Sequence, residues 1–251
     1  MKTFKIAFIL LFLIINFSCM KEQLNDCFQS TGNDISITKF VNPFKKINIG
    51  ENFKIIILQD TTKSEYVKIT AGKNIINQIV SNVKDGTLKI QNKNTCNFVR
   101  SYKRKITIEI NVKTLDEIII SSVSDLFSYD TLYFENKYVR LKNFGLGDVN
   151  LKIKCGFLDV QSINSGNITL EGFSNIMSCS IEEVSSFDAR KLLCDDIYID
   201  CHTPLDCFVY PKIKLYVKIF NSGNVFYRDE YANLKTYLVE QKGTGSLIKI
   251  Q

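Results

Sequence analysis

The stretch FNSGNVFYRDE, residues 220–230, sets Asn-Ser-Gly-Asn against an alternating apolar and polar run. Much the same phrase occurs as INSGNITLEG from Ile163 and as FGLGDVNLKI from Phe144. Aligning the chain on the polar residue that follows the small one gives seven anchors: Asp125, Asp148, Asn167, Ser186, Asp206, Asn224 and Ser246. They are 18 to 23 residues apart, and six of the seven follow Gly or Ser. Such residues suit tight corners, because Gly tolerates positive φ and Asx or Ser side chains bond nearby backbone.

Seven places before the anchors stand Ile118, Leu141, Val160, Cys179, Ile199, Val217 and Val239, all apolar. One place earlier or later the residues are mostly polar, which is the period of a strand with one buried face. The columns at nine and seven before the anchor and at one and three after it hold 25 apolar residues in 28 places. The interleaved columns hold 8 in 28. A chain that is 45% hydrophobic would give about 13 in either set by chance. A short period with two strand segments and a Gly/Asn corner predicts a β-solenoid, in which each coil buries its inward face only by stacking on its neighbours. At about 4.8 Å per coil, seven coils extend roughly 29 Å. A meandering β-sandwich also alternates, but has no reason to repeat its corner chemistry at this interval.

The region before the repeat is less regular. FKKINIGENFKIIILQ reads as two strands joined at Gly50–Asn52, YVKITAG as a third, and TLKIQNK and KITIEINV as two more. In NIINQIVSNV, residues 74–83, the residues Ile75, Ile76, Ile79, Val80 and Val83 fall on one helical face. That predicts a short capping helix with Asn74 as N-cap, closing an end of the solenoid that would otherwise invite pairing with other chains. Asp85-Gly86 marks the turn that follows.

The N-terminus reads as an export signal. Lys2 and Lys5 precede the unbroken apolar run Ala7–Ile15, which is too short to span a bilayer as a helix, a task that takes about 20 residues. NFSC then ends at Cys19, as in a bacterial lipobox, so Cys19 is the expected lipid attachment site. The box usually has Leu three places before the cysteine, where this chain has Asn16, and ordinary signal cleavage is the alternative. Residues 1–18 are the expected signal peptide, 19–39 a tether and first strand, and 40–251 the folded domain.

The charge balance is unremarkable and does not argue for nucleic acid, and none is expected as a partner. The chain carries 32 basic and 26 acidic residues; without Lys2 and Lys5 the net is +4. The densest basic stretch, RSYKRK at 100–105, reads as a solvated loop between strands. Cys27, Cys96, Cys155, Cys179, Cys194, Cys201 and Cys207 follow Cys19. Their number is odd and their spacing follows no framework, so no pairing is deducible. No CxxC occurs, and the single histidine, His202, adjoins Cys201 on the opposite face of an alternating run. No metal site, cofactor or catalytic residue is expected. Cys179, Cys201 and Cys207 read as small buried hydrophobes. Among outward residues, Tyr198 and Tyr216 share one column and Phe208 and Phe226 another. These four are the candidate ligand contacts, since exposed rings can lie against sugar faces or bury in a partner.

Together FKKINIGENFKIIILQD, the VKDGTLKI hairpin and the recurring GLGDVNL, NSGNITL and NSGNVFY resemble the family described as "putative auto-transporter adhesin, head GIN domain", over most of residues 40–250. The chain departs from its corner pattern at VSSFDA and HTPLDC, where the glycines are missing. The resemblance implies a right-handed parallel β-helix of the pectate-lyase type in an exported Gram-negative envelope protein or lipoprotein, with no defined ligand or catalytic residues. The expected function is an adhesin or binding module, tethered to the outer membrane by lipid on the cell surface or the periplasmic face. Its partner would be a glycan or a protein, and its oligomeric state is open. An envelope scaffold and a polysaccharide-cleaving enzyme are the alternatives; the latter would need a carboxylate cluster, for which Asp125, Asp148 and Asp206 are the candidates.

Overall fold

The computed structural model describes residues 30–94 and 105–250. The signal segment, Cys19, Cys27, Cys96 and all of the basic stretch except Lys105 lie outside the described residues. The regular structure of the described residues is almost all strand, wound into a β-solenoid of about seven turns. Five long strands carry the repeat: β10 (Leu132–Asn143), β11 (Val149–Ser162), β12 (Asn167–Glu182), β13 (Ser186–His202) and β14 (Cys207–Ile219). Each pairs in parallel with the next. Shorter strands continue the stack at both ends: β8 (Glu117–Ile120) and β9 (Asp125–Phe127) before them, and β15 (Val225–Arg228), β16 (Lys235–Gln241) and β17 (Leu247–Ile250) after.

The pairing register is the one the anchor alignment predicts. Leu126, Val149, Ile168, Phe187, Cys207, Val225 and Leu247, each just after an anchor, are successive cross-coil partners. So are Ile118, Leu141, Val160, Cys179, Ile199 and Val217. All six of this second set are buried, each aliphatic member contributing about 1.5–3 kcal/mol before chain entropy is subtracted. The strand segments just before the corners form one face of the solenoid, here the pre-corner face, and those just after form another, the post-corner face.

The seventh coil departs from the column. Val217 pairs with Leu238, not Val239, and the register recovers only at Lys218 with Glu240. Val239 is therefore 56% exposed at an irregularity. Tyr237, expected inward, stands outward beside Tyr216. The long 22-residue spacing to this anchor is the visible trace of the inserted residue.

At the other end the chain doubles back on itself. The strands are β1 (Asp34–Phe40), β2 (Lys46–Ile49), β3 (Phe53–Leu58), β4 (Tyr66–Gly72), β5 (Ile79–Lys84), β6 (Thr87–Asn92) and β7 (Ile106–Asn111). β2 lies between β6 and β8, and β3 between β7 and β9, so the first coil in sequence is the second in space. The end is closed by strands running against the grain: β4 antiparallel to β7, β1 to β4 and β5 to β6.

The expected helix over residues 74–83 does not form; only Ile76–Gln78 make a single 3-10 turn. Asn74 does not cap it but gives its side-chain amide to the Ser30 carbonyl at 2.9 Å. Residues 79–84 are instead β5, joined to β6 by Asp85 and Gly86, which have φ of 50° and 69°. A two-residue Asp-Gly loop with both φ positive turns a hairpin and demands strand on either side. The β-branched Val80 and Val83 suit that strand, and a helix this short would be marginal. The three isoleucines that suggested a helical face are buried all the same, through the turn and the first residue of β5.

Two features hold coil to coil. At the corners backbone packs on backbone: a methyl on Gly147 would collide with the Ser124 carbonyl. On the outer face, Glu117 is nearly buried and draws in three cations from its own neighbours, Arg140 at 3.1 Å, Lys142 at 3.5 Å and Lys46 at 3.8 Å. Burial alone would raise the Glu117 pKa, but the hydrogen bond from Arg140 and the charge of Lys142 outweigh it and hold the carboxyl below its ordinary value.

Two predictions follow from these contacts. Gly147→Ala should destabilise the fold by about 1–3 kcal/mol, whereas Gly50→Ala, where the space is open, should stay within about 0.5 kcal/mol; urea titrations of the two variants compare them. Glu117 stabilises fully above its unfolded pKa of about 4.3 and ceases to as pH falls through its lower folded value. Glu117→Gln should therefore cost about 1–3 kcal/mol at pH 7 and flatten the acid limb of a stability–pH curve below about pH 4.

Candidate functional site

Side chains on the outer pre-corner face form rows across the coils. One row runs Glu117, Arg140, Asp159, Ser178, Tyr198, Tyr216, Tyr237. The row beside it runs Lys142, Gln161, Ser180, Asp200, Lys218, Glu240. In β12 both rows hold serine, between larger residues on β11 and β13. The dip this leaves is a groove of about 440 Å³, within the range of about 300–1,000 Å³ usual for small-molecule sites. Its lining includes Asp159, Gln161, Ser178, Ser180, Tyr198 and Asp200, with Tyr216, Lys218 and Val239 beyond.

Tyrosines make one wall. Tyr198 and Tyr216 stack with ring centroids 4.8 Å apart and planes within 2°, and Tyr237 continues the stack at 4.8 Å. The cross-coil spacing places rings at stacking distance whenever two coils carry an aromatic in the same row. The stack stops at Ser178, so the Tyr198 face turned away from Tyr216 meets no ring, and Tyr198 is 42% exposed.

The charged residues that line the groove are paired. Asp159 accepts from Arg140 at 3.2 Å and from the Tyr138 hydroxyl at 2.7 Å. Burial and that bond to Asp159 hold the Tyr138 phenol above its ordinary pKa. Asp200 faces Lys218 at 3.4 Å. The Ser180 hydroxyl bonds Glu182 at 3.0 Å, while the Ser178 hydroxyl and the Gln161 amide have no hydrogen-bond partner among the described residues.

The second expected pair lies elsewhere. Phe208 and Phe226 stack at 5.0 Å on the post-corner face. The Arg190 guanidinium covers Phe208 at 4.2 Å from the neighbouring coil. Asp188 fixes that guanidinium by bonds of 3.0 and 3.1 Å, and Arg190 in turn holds the Asp188 carboxyl below its ordinary pKa. Phe208 thus has both faces occupied within the molecule, and neither phenylalanine is fully exposed. His202 is also engaged, its ring stacked on Phe220 at 4.1 Å.

The corner carboxylates serve the fold. An oxygen of Asp125 accepts the Asp148 backbone N–H at 3.2 Å, Asp148 that of Asn167 at 3.2 Å and Asp206 that of Asn224 at 3.1 Å. Among the described residues no group of three or more His, Cys, Asp or Glu is placed to hold a metal. Cys155, Cys179, Cys194, Cys201 and Cys207 are free and buried. Burial pushes the Cys155 thiol up to about 11 and the Cys179 and Cys194 thiols up as well, unlike the depressed thiols of nucleophilic cysteines.

Sequence patterning identified Tyr198 and Tyr216 but missed Tyr237, hidden by the register irregularity, and missed the groove. The signal for the groove was present in the outward columns, where only the coil of β12 has small residues in both rows.

The solenoid matches several crystal structures, all below 25% identity, which speaks to the fold alone. One described as a putative adhesin from Bacteroides fragilis is 23% identical with a TM-score of 0.76, covering 87% of this chain and 97% of that one. Another, described as a putative adhesin from Parabacteroides merdae, is 16% identical with a TM-score of 0.65, covering 88% and 98%. A third, described as a putative lipid binding protein from Parabacteroides distasonis, is 18% identical with a TM-score of 0.63, covering 88% and 98%. No curated protein matches. The sequence model of one family, however, matches residues 43–230, from the first inner strand to the sixth corner and beyond, and the chain belongs to that family, described as "putative auto-transporter adhesin, head GIN domain".

Proposed function

We propose that this chain is an adhesin of the cell envelope, exported by its N-terminal signal, held to the outer membrane by lipid on Cys19, and binding its partner on the outer pre-corner face. Family membership supports an adhesin-like envelope protein at an exported or surface location. The observation that carries the rest is the groove beside the tyrosine stack. Among the described residues this groove brings together an open aromatic ring, polar groups without a hydrogen-bond partner and a concave floor. A stack of parallel coils is a rigid platform, so little ordering cost is paid when a ligand lands on it. The corner carboxylates, which a polysaccharide-cleaving site would need, are taken up by the next coil's backbone, which favours binding over catalysis.

Protease treatment of intact cells tests display, and a matrix-protein and glycan array tests adhesion. The chain should be cleaved on intact cells, and Cys19→Ala should move it to the soluble fraction. Protection of the chain in intact cells, or its retention in membranes after Cys19→Ala, would overturn the corresponding part of the proposal.

A further inference from the structure

We infer that the groove beside Tyr198 is a subsite for one neutral pyranose unit of a glycan, stacked on the open face of Tyr198. The inference rests on the adhesin reading for its biological setting, but on separate geometry for its ligand. Three observations converge on this class.

The first is the ring. Tyr216 supports Tyr198 from behind in a near-parallel stack, so the phenol ring is held in place without a ligand, and its opposite face stands over the small Ser178. A flat apolar surface with an open space in front fits the C–H face of a saturated sugar ring, which is apolar on its face and polar around its edge. The second is the distribution of polar groups. Gln161 and Ser178, whose side chains have no hydrogen-bond partner among the described residues, lie on the groove floor around that space, with donors and acceptors suited to hydroxyls at the sugar's edge. The third is charge. Asp159 and Asp200 line the groove, yet each is matched by a cation, Arg140 and Lys218 respectively. None of the charged residues that line the groove, Asp159, Asp200 and Lys218, is left unmatched to hold a uronate or a quaternary amine. An anion would face two carboxylates, and a cation would compete with an existing guanidinium or ammonium.

Phe208 on the post-corner face is the internal comparison. It too is stacked on a ring one coil away, but Arg190 closes its other face, so it offers no equivalent platform.

The experiment uses the full chain, which lacks tryptophan and has 11 tyrosines, so saturation-transfer NMR reads binding and tyrosine emission, compared with that of Tyr198→Phe, assigns it to the site. Methyl glucopyranoside, galactopyranoside and mannopyranoside are titrated beside the matching uronates and choline. At least one neutral glycoside should bind, more tightly than its uronate and more tightly than choline. Tyr198→Ala should weaken it about tenfold or more, while Tyr198→Phe keeps it within about twofold, because the ring face and not the hydroxyl makes the contact. Ser178→Tyr, which extends the stack over the open face, should abolish binding with the tyrosine ring still present. That second variant keeps the test valid should Tyr198→Ala fail to fold. Equal binding by Ser178→Tyr, or preference for uronate or choline, would overturn the inference. So would no binding of any neutral glycoside by a chain that still adheres to cells or matrix, which leaves the adhesin reading standing. Glycoside binding by a chain that is never displayed outside the cell would do the reverse.

Discussion

Successive coils have to bring their corners to the same place, because at four of the six steps the side chain at one corner holds the backbone of the next. Asp125 takes the N–H of Asp148, Asp148 that of Asn167, Asp206 that of Asn224 and Asn224 that of Ser246. A strand displaced by one residue would break that bond and turn its whole apolar set outward, since side chains alternate with a period of two. The corner thus fixes at once which residues pack inside and which line up outside. Where glycine is missing at VSSFDA and HTPLDC, hydroxyls take over. Ser185 bonds Ser162 and the Asn164 carbonyl, and Thr203 bonds the Ser185 carbonyl and accepts from the Leu205 N–H. The corners differ in chemistry but keep the same register.

That constraint explains what could be read from the sequence. The column seven before the anchor was recovered as far as Val217 and the column just after it through all seven coils, because in each case an unbroken spacing links corner to strand. The reading failed where the linkage loosens. Val239 follows an inserted residue, so counting back from Ser246 gives the wrong face. Residues 79–84 precede the first corner altogether, and there a short apolar run fits helix and strand alike. Only the pairing with β6 through Asp85-Gly86 decides the matter. The order of the first coils was also out of reach. Nothing local in β2 shows that its neighbour will be β8, about seventy residues on.

Stacking has a different effect on the outside. In the interior every position meets a like position and the result is uniform burial. On the surface the same arrangement brings together whatever the rows contain. Opposite charges become cross-coil ion pairs, as with Lys214 and Asp196 or Lys191 and Glu171, each worth little singly at the surface. Aromatics become stacks. A small residue between large ones becomes a hollow, and the groove is of this last kind, made by two serines in one coil. Its lining residues were individually visible in the sequence. The hollow was not, because it is a property of three adjacent strands and not of any one of them.

The groove is therefore separable from the structure that supports it. Tyr198, Ser178, Gln161 and Asp200 all stand on the outer surface, while the inward neighbours on the same strands, Ile197, Met177, Val160 and Ile199, are buried. The outward rows can vary in size and polarity without disturbing the core that sets the register, provided the backbone bonds at the corners persist. A ring whose two faces are covered, like that of Phe208, is absorbed into the stacking of the fold. A ring at the end of its stack, like that of Tyr198 beside Ser178, keeps one face that no neighbouring ring covers. In a repeat structure the place where a stack breaks off is where the regularity that builds the molecule leaves surface uncovered.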